Sequence, residues 1–297
     1  MSSSLATPNA ASAPLPRWPR PWALDATVGL HALAGAAALV LPGAEPWALG
    51  AVMANHAVLG GSGLMPRSSW LGPNLRRLPL PQPARSPAPA GEPPQVAGPT
   101  VALTFDDGPD PEVTPQVLEL LAAAGARATF FCIAERARQH ATLTREIVAR
   151  GHSVQNHSAG HRHHFSLLGP RGFEREIGGA QYMLAEVTGT LPHCFRAPAG
   201  LRNPLLDPVL HRLDLHLVSW TRRGFDTTDV RAARVLARLV QDLAPRDILL
   251  LHDGHAGRTA SGRAVVLEVL PPLLAHLQAA GLATATLAEA VPRRHAA

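Results

Sequence analysis

From residue 100 to about 290, the apolar positions switch repeatedly between a two-residue period and a roughly 3.6-residue period. Residues 101–105 read as a short apolar strand. A helix over 113–125 follows, with Val117, Leu118, Leu120 and Leu121 as its apolar stripe. Residues 128–133 form a second strand, and a helix over 135–150 stops at Gly151, before a third strand at 152–156. Further helices are predicted near 171–188, 203–213, 229–243 and 263–280, with strands near 193–196, 214–220, 247–252 and 283–286. Repeated strand–helix units imply an α/β domain over 100–290, built on a parallel sheet that is open or closed into a barrel. Functional side chains in such folds sit at the C-terminal ends of the strands.

The pattern upstream is different. Residues 1–20 are rich in Ser, Ala and Pro and are expected to be disordered. Two apolar segments follow, 21–41 and 46–65, each close to the ~20 residues of a membrane-spanning helix. They resemble each other: Pro21-Trp22-Ala23-Leu24 returns as Pro46-Trp47-Ala48-Leu49, and His31-Ala32 as His56-Ala57. The turn Pro42-Gly43-Ala44-Glu45 joins them, so a helical hairpin over 21–65 is expected, with a tryptophan at the start of each arm as an interfacial anchor. Asp25, His31, Asn55 and His56 argue for the competing reading, an amphipathic or core helix pair, because polar groups at membrane depth are costly. A cleaved signal peptide fits less well, since the apolar stretch is long, doubled and lacks a clear small-residue cleavage site. Arg17 and Arg20 precede the pair and Arg67, Arg76 and Arg77 follow it, while the turn carries no basic residue. By the positive-inside rule both ends would be cytoplasmic, and with them the downstream domain, in a bacterial inner membrane. Residues 66–99 are expected to be a proline-rich, semi-rigid linker, and 291–297 a short tail.

Charge adds one exclusion. All 27 basic side chains are arginine, the net charge is +5, and only 16% of residues are charged. No basic block interleaved with aromatics and no nucleic-acid motif accompanies that charge, so a nucleic-acid partner is not expected. Cys132 and Cys194 stand in no CxxC arrangement; Cys132 lies in an apolar run where a buried free thiol is the default.

The predicted strand ends carry the chemistry. The first ends in Thr104-Phe105-Asp106-Asp107-Gly108-Pro109, and adjacent carboxylates after an apolar strand call for a positive neighbour, most economically a metal ion. The third runs into Asn156-His157-Ser158-Ala159-Gly160-His161, two histidines four apart that can converge on one ion. His163 and His164 follow at once, so mere histidine enrichment competes. One carboxylate and two imidazoles make an open metal site with room for water and substrate. Arg196 stands before the turn Ala197-Pro198-Ala199-Gly200, where it can pair a carboxylate; Ser219-Trp220 opens a segment that ends in Asp226; and the apolar strand Ile248-Leu249-Leu250-Leu251 delivers His252.

The ordered series TFDDGP, HSAGH, RAPAG, WTRRGFD and LLLHD resembles the five motifs of the NodB-type polysaccharide deacetylases, carbohydrate esterase family 4, over about residues 98–290. The resemblance implies a distorted (β/α) barrel. It also implies metal-dependent hydrolysis of the amide of an N-acylated amino sugar in a glycan or glycolipid. Asp107, His157 and His161 would hold a divalent ion, zinc first, with Co2+, Ni2+ or Mn2+ as alternatives. Asp106 would be the catalytic base held by Arg196, and His252 the general acid tuned by Asp226. Ala199 would supply the oxyanion N–H, Leu250 would line the acyl pocket, and Trp220 would face the substrate. Two departures thin the aromatic sugar platform: Ala199 stands where the family often has tyrosine, and Thr227 follows Asp226 where tryptophan is usual. With the hairpin, they keep open a second reading, deformylation or deacylation of a lipid-linked amino sugar at the cytoplasmic membrane face. A silent carbohydrate-binding or membrane-organising protein would have lost a base, ligand or acid, and none is missing.

Overall fold

The computed structural model describes residues 16–80 and 98–294. The positions expected to be disordered fall mostly on 1–15, outside the described residues, as do 81–97 of the expected linker and 295–297 of the tail.

Eight strands form one sheet: β1 (Thr100–Asp106), β2 (Ala128–Cys132), β3 (Ser153–Asn156), β4 (Cys194–Phe195), β5 (His216–Leu217), β6 (Arg222–Arg223), β7 (Ile248–His252) and β8 (Ala283–Thr284). Their order is β5-β4-β3-β2-β1-β7-β6, with β8 paired to the start of β1, and every pairing is parallel. The sheet curls into a half-barrel with helices outside it, the coarse form of the barrel expected. β6 was not anticipated, because two arginines carry no strand signal. It exists because β7 offers it a ladder, Arg222 against Leu249 and Arg223 against Leu250.

Two predicted helices are interrupted. The 135–150 helix breaks at His140 into Ala134–Gln139 and Ala141–Ala149. The 171–188 helix contains a π-helical turn, Glu174–Gly178, between Pro170–Phe173 and Gly179–Thr188. The helix Val265–Ala279 is completed despite Pro271 and Pro272; its Val265, Leu270, Leu273 and Leu277 are buried against the sheet. Burial of that apolar face, at roughly 1.5–3 kcal/mol per large side chain, exceeds the local proline cost.

Period-two alternation divides the barrel into two cores. Leu103, Phe105, Phe130, Leu249 and Leu251 face the helices, whereas Ala102, Phe131, Leu250 and Trp220 fill the interior. Cys132 and Cys194 are both free and buried, and burial pushes the Cys194 thiol up to about 12.

The N-terminal segment folds as α1 (Trp22–Val40) and α2 (Glu45–Gly63), packed side by side across a short turn. Their polar residues face one another: Asn55 Nδ2 donates to Thr27 Oγ1 at 3.1 Å, and the Nε2 atoms of His31 and His56 lie 3.2 Å apart. Large apolar side chains such as Leu33, Leu39 and Trp47 are exposed along the pair. By length and composition α1 alone, among the described residues, is apolar enough to cross a membrane. α2 falls short because Asn55, His56 and its glycines dilute it.

Residues 66–80, expected within the linker, pack against the barrel instead. Leu71 and Leu78 are buried. Leu75 inserts beside β5, with its N–H donating to Leu217 O at 2.8 Å and its carbonyl accepting from Ser219 N–H at 2.9 Å. Leu78 N–H donates to Arg246 O at 2.8 Å, and Arg77 pairs with the buried Asp247 at 3.1 Å. This strap spans the seam between β5 and β7. Composition had marked it as linker, because prolines and arginines can lie flat on a protein surface as readily as in water.

Candidate active site

Alternation along β1 turns Thr104 and Asp106 into the barrel, while Leu103 and Phe105 face outward. There they meet Arg196, delivered by the end of β4 and only 1% exposed. Arg196 Nη1 donates to Asp106 Oδ1 at 2.6 Å and to Thr104 Oγ1 at 2.8 Å. Its Nη2 and Nε donate to the carbonyls of Ser219 (3.0 Å) and Val218 (3.3 Å). The guanidinium also lies 4.1 Å above the Phe131 ring. A buried guanidinium persists only when its charge and its N–H groups are both matched, and here both are.

The chain turns sharply after β1. Asp107 adopts φ +70°, which swings its carboxylate toward the end of β3. Gly108 makes the turn possible: a Cβ there would lie 2.1 Å from Asp253 Oδ2, so β1 and β7 end in direct contact. Asp107 Oδ1 stands 3.2 Å from the Nε2 atoms of both His157 and His161. His157 Nδ1–H donates to Arg196 O at 2.9 Å, which assigns the tautomer and leaves Nε2 as an acceptor aimed at Asp107. His161 reaches the same point because Ser158 (φ +67°) and His161 (φ +49°) coil the loop back, with Ser158 Oγ accepting from His161 N–H. Asn156 anchors that loop: its Oδ1 accepts from Ser158 N–H, and its Nδ2 donates to Ile177 O and Gln181 Oε1.

The three side chains fit a divalent cation. Their ligand atoms lie within 4.8 Å of one another, and the buried Asp107 Oδ1 accepts no hydrogen bond among the described residues. An anionic oxygen left bare between two imidazole acceptors is costly unless a cation occupies the common centre. Burial raises Asp107, but His157, His255 and His161 outweigh it and hold the carboxyl far below its usual range. Burial in turn lowers His157, but the Asp106 and Asp107 carboxylates outweigh it and raise it. Burial and the neighbouring His157 push His161 down. Removing divalent ions with a chelator is therefore expected to abolish turnover and leave far-UV circular dichroism unchanged, with zinc or cobalt restoring the rate. Full activity after verified metal removal would contradict a metal role.

On the other side of the mouth, β7 presents His252. Its Nδ1 lies 2.8 Å from Asp226 Oδ1, and its backbone N–H donates to Asp226 Oδ2 at 2.7 Å. Asp226 is fully buried. Burial by itself lowers the His252 pKa, but the Asp226 charge and hydrogen bond overcome it and hold the imidazole above its ordinary value. Ala199 sits exposed in the loop after β4, in a left-handed conformation (φ +54°). Leu250 and Trp220 are buried in the barrel interior and form its floor.

Sequence reasoning missed His255, whose Nδ1 lies 3.5 Å from Asp107 Oδ2 and whose Nε2 accepts from Arg136 Nη2 at 2.8 Å. Arg136 also donates through Nη1 to the Asp107 carbonyl at 3.1 Å. His255 thus faces the outer oxygen of the proposed ligand carboxylate, and Arg136 holds both that imidazole and the Asp107 backbone. The spacing of His252 and His255 was a visible signal for His255; nothing local marked Arg136. Asp253 was missed as well: it is buried beneath the mouth, accepts from Thr114 Oγ1 at 2.6 Å, and is pushed up to about 7 by burial.

A family model for polysaccharide deacetylases matches residues 94–218. A chitooligosaccharide deacetylase of Azorhizobium caulinodans is 33% identical over 191 residues, which cover 62% of this chain and 90% of that one. This chain belongs to the polysaccharide deacetylase family. A peptidoglycan-N-acetylglucosamine deacetylase of Bacillus cereus is 29% identical across 66% of this chain and 89% of its own. Among solved structures, a family 4 acetyl xylan esterase from Clostridium thermocellum, in complex with a cobalt ion, superposes with a TM-score of 0.57 at 28% identity, covering 64% of this chain and 89% of that one. The chain is thus a hydrolase of the polysaccharide deacetylase type, acting on carbon–nitrogen amide bonds. The hairpin α1–α2 and the strap lie outside the matched residues.

Proposed function

We propose that this deacetylase removes the acyl group from an N-acylated amino sugar of the N-acetylglucosamine type, using one divalent ion, zinc first among the candidates. The observation that carries the reading is the convergence of three units on one mouth: the Asp107–His157–His161 cluster, Asp106 on Arg196, and His252 on Asp226. Asp and His donors suit zinc, and three protein ligands leave positions open. When bound, the ion supplies positive charge that polarises the acyl carbonyl and lowers the pKa of water toward about 7.

Asp106 has one oxygen committed to Arg196 and the other, Oδ2, 3.9 Å from His157 Nε2, on the cluster side. That free oxygen is placed to take a proton from the attacking water. The Ala199 N–H donates to the developing oxyanion, a contact typically worth about 2.7–4 kcal/mol in rate when a donor of this kind is removed. His252, protonated and steered by Asp226, gives its Nε2 proton to the departing nitrogen, which leaves as an amine. Leu250 and Trp220 form the apolar floor against which the acyl methyl rests. Residues 21–65 anchor the enzyme in a bacterial inner membrane, with α2 returning beside the apolar α1 and its polar Asn55 and His56 paired against Thr27 and His31. Both arginine-flanked ends, and with them the hydrolase domain, then lie on the cytoplasmic side.

The central test incubates metal-loaded full-length protein with N-acetylated oligosaccharides and with an N-acetylglucosamine lipid, measuring released acetate and formate. Failure to release either acid from any of these, with metal bound, overturns the proposal. A second test concerns the proton donor. His252→Ala is expected to lower the rate on unactivated amides by about 10²–10⁴-fold, with a far smaller loss on an activated ester whose leaving group needs no proton. Equal losses on both would remove His252 as the acid. Asp226→Asn deletes the charge that raises the His252 pKa. The protonated imidazole is then lost at lower pH, so the alkaline limb of the kcat profile should move toward acid; an unmoved limb would exclude this coupling.

A further inference from the structure

The strap joins the hydrophobic hairpin to the catalytic mouth by direct backbone contact. The carbonyl of Gly63, the last residue of α2, accepts from Arg202 N–H at 3.1 Å, and a Cβ on Gly63 would lie 2.2 Å from the Arg202 carbonyl. Pro66 presses on Gly200, at 2.6 Å from where a Cβ would stand, with Trp220 on the other side at 2.8 Å. Arg202 Nη2 donates to Ser68 O and Gly72 O, and Arg67 Nη1 donates to Thr221 O. The loop after β4, which carries Ala199, is therefore seated on the base of the hairpin.

That base carries the kinds of side chain that concentrate at a membrane–water boundary. Trp22 (62% exposed) packs edge-on to Trp70 (44%) with ring centroids 5.4 Å apart, and Leu64 and Met65, directly after α2, are 66% and 63% exposed. Arg17, Arg20 and Arg67 lie at the same end. A 19-residue helix spans roughly 28 Å at about 1.5 Å per residue, close to the ~30 Å of a hydrocarbon core. With the arms immersed, the tryptophans and arginines fall at headgroup depth, where such side chains concentrate. The loop that seats on this base is then held at the same depth.

We infer that the substrate is a lipid-carried amino sugar, with its amide presented directly at the bilayer surface, rather than a free or wall-bound polymer. The inference rests on the amide-hydrolase reading and on the membrane placement above. The geometric reason is simple: a catalytic loop fixed by backbone contact to the end of a membrane helix cannot be lifted toward an amide far from the surface. The strap reaches the chemistry too, because the Ser219 whose N–H donates to Leu75 O also accepts from Arg196, the partner of Asp106.

The test uses the full chain in phosphatidylethanolamine–phosphatidylglycerol vesicles, with one N-acetylglucosamine amide presented in three ways. It is attached directly to a dialkyl lipid, attached to the same lipid through a long polyethylene glycol spacer, or offered as soluble chitotetraose. Direct attachment should exceed the spacer form by about tenfold in kcat/KM; anchoring alone raises effective concentration for both lipids alike, so only the depth of the site separates them. Leu64→Asp combined with Met65→Asp, at the exposed base, should collapse that ratio while far-UV circular dichroism and divalent-ion affinity, unchanged from the parent, show the enzyme is folded. A spacer form equal to or better than the direct one, or turnover of chitotetraose alone, overturns the lipid-surface inference and leaves the hydrolase intact. Turnover of none of the three, with metal bound, overturns both.

Discussion

Replacing Asp106 by asparagine is expected to lower kcat by about 10²–10⁴-fold, the range lost when a positioned general base is removed, while divalent-ion affinity stays within a few-fold of the parent. The two outcomes separate because the neighbouring carboxylates do different things. Asp107 Oδ1 faces both imidazoles at 3.2 Å. Asp106 spends Oδ1 on Arg196 and keeps Oδ2 3.9 Å from His157 Nε2, outside direct ligation in this arrangement. Asparagine keeps the shape and can still accept from Arg196 through its carbonyl oxygen, but it takes up no proton. Parallel Asp107→Asn should show the reverse order: metal affinity falls first and activity follows, recovering in part at high metal concentration. Calorimetric titration beside steady-state kinetics reads both. An Asp106→Asn enzyme of parental activity would remove the base role; one that had lost metal binding would make Asp106 a ligand.

The second large effect is on stability. Arg196→Met should destabilise the domain by about 3–5 kcal/mol, because it leaves Asp106 as an uncompensated buried charge. Four donated hydrogen bonds vanish with the guanidinium, including those to the carbonyls of Val218 and Ser219 that tie β4 to the segment after β5. The double variant Asp106→Asn/Arg196→Met should recover a large part of the loss, since two neutral groups replace a broken pair. Urea denaturation of the four proteins in the cycle measures this directly. Additive losses would mean that Arg196 acts by packing against Phe131 and Trp220, not through charge.

The metal cluster and the two carboxylate–base pairs were assembled from residues 106, 107, 157, 161, 196, 226 and 252, and each lies at or just beyond a strand end. Such positions are readable because a run of buried apolar residues marks the strand, and a polar residue that ends the run has to face the mouth. β1 and β7 are clear cases: 101–105 and 248–251 are wholly apolar but for Thr104, so Asp106 and His252 stand out. His255 and Arg136 were not legible. Arg136 lies on a helix of six residues with a second arginine two positions on, and only the fold decides that one of them turns toward Asp107. β6 was hidden for a related reason, since a two-residue strand gains its identity from β7 rather than from its own side chains.

Local sequence determined the strand–helix rhythm of residues 100–290, the two hydrophobic arms with tryptophan at each start, and the residue types able to hold a cation, because periodicity and side-chain chemistry act over a few neighbouring positions. Tertiary structure alone decided that the proline- and arginine-rich stretch after α2 closes the barrel seam, and that Pro66 and Gly63 seat the loop carrying Ala199. The hydrogen bonds of Leu75, Leu78 and Arg202 that achieve this join residues more than one hundred positions apart. No local pattern encodes such a contact; it exists only once both surfaces have been made.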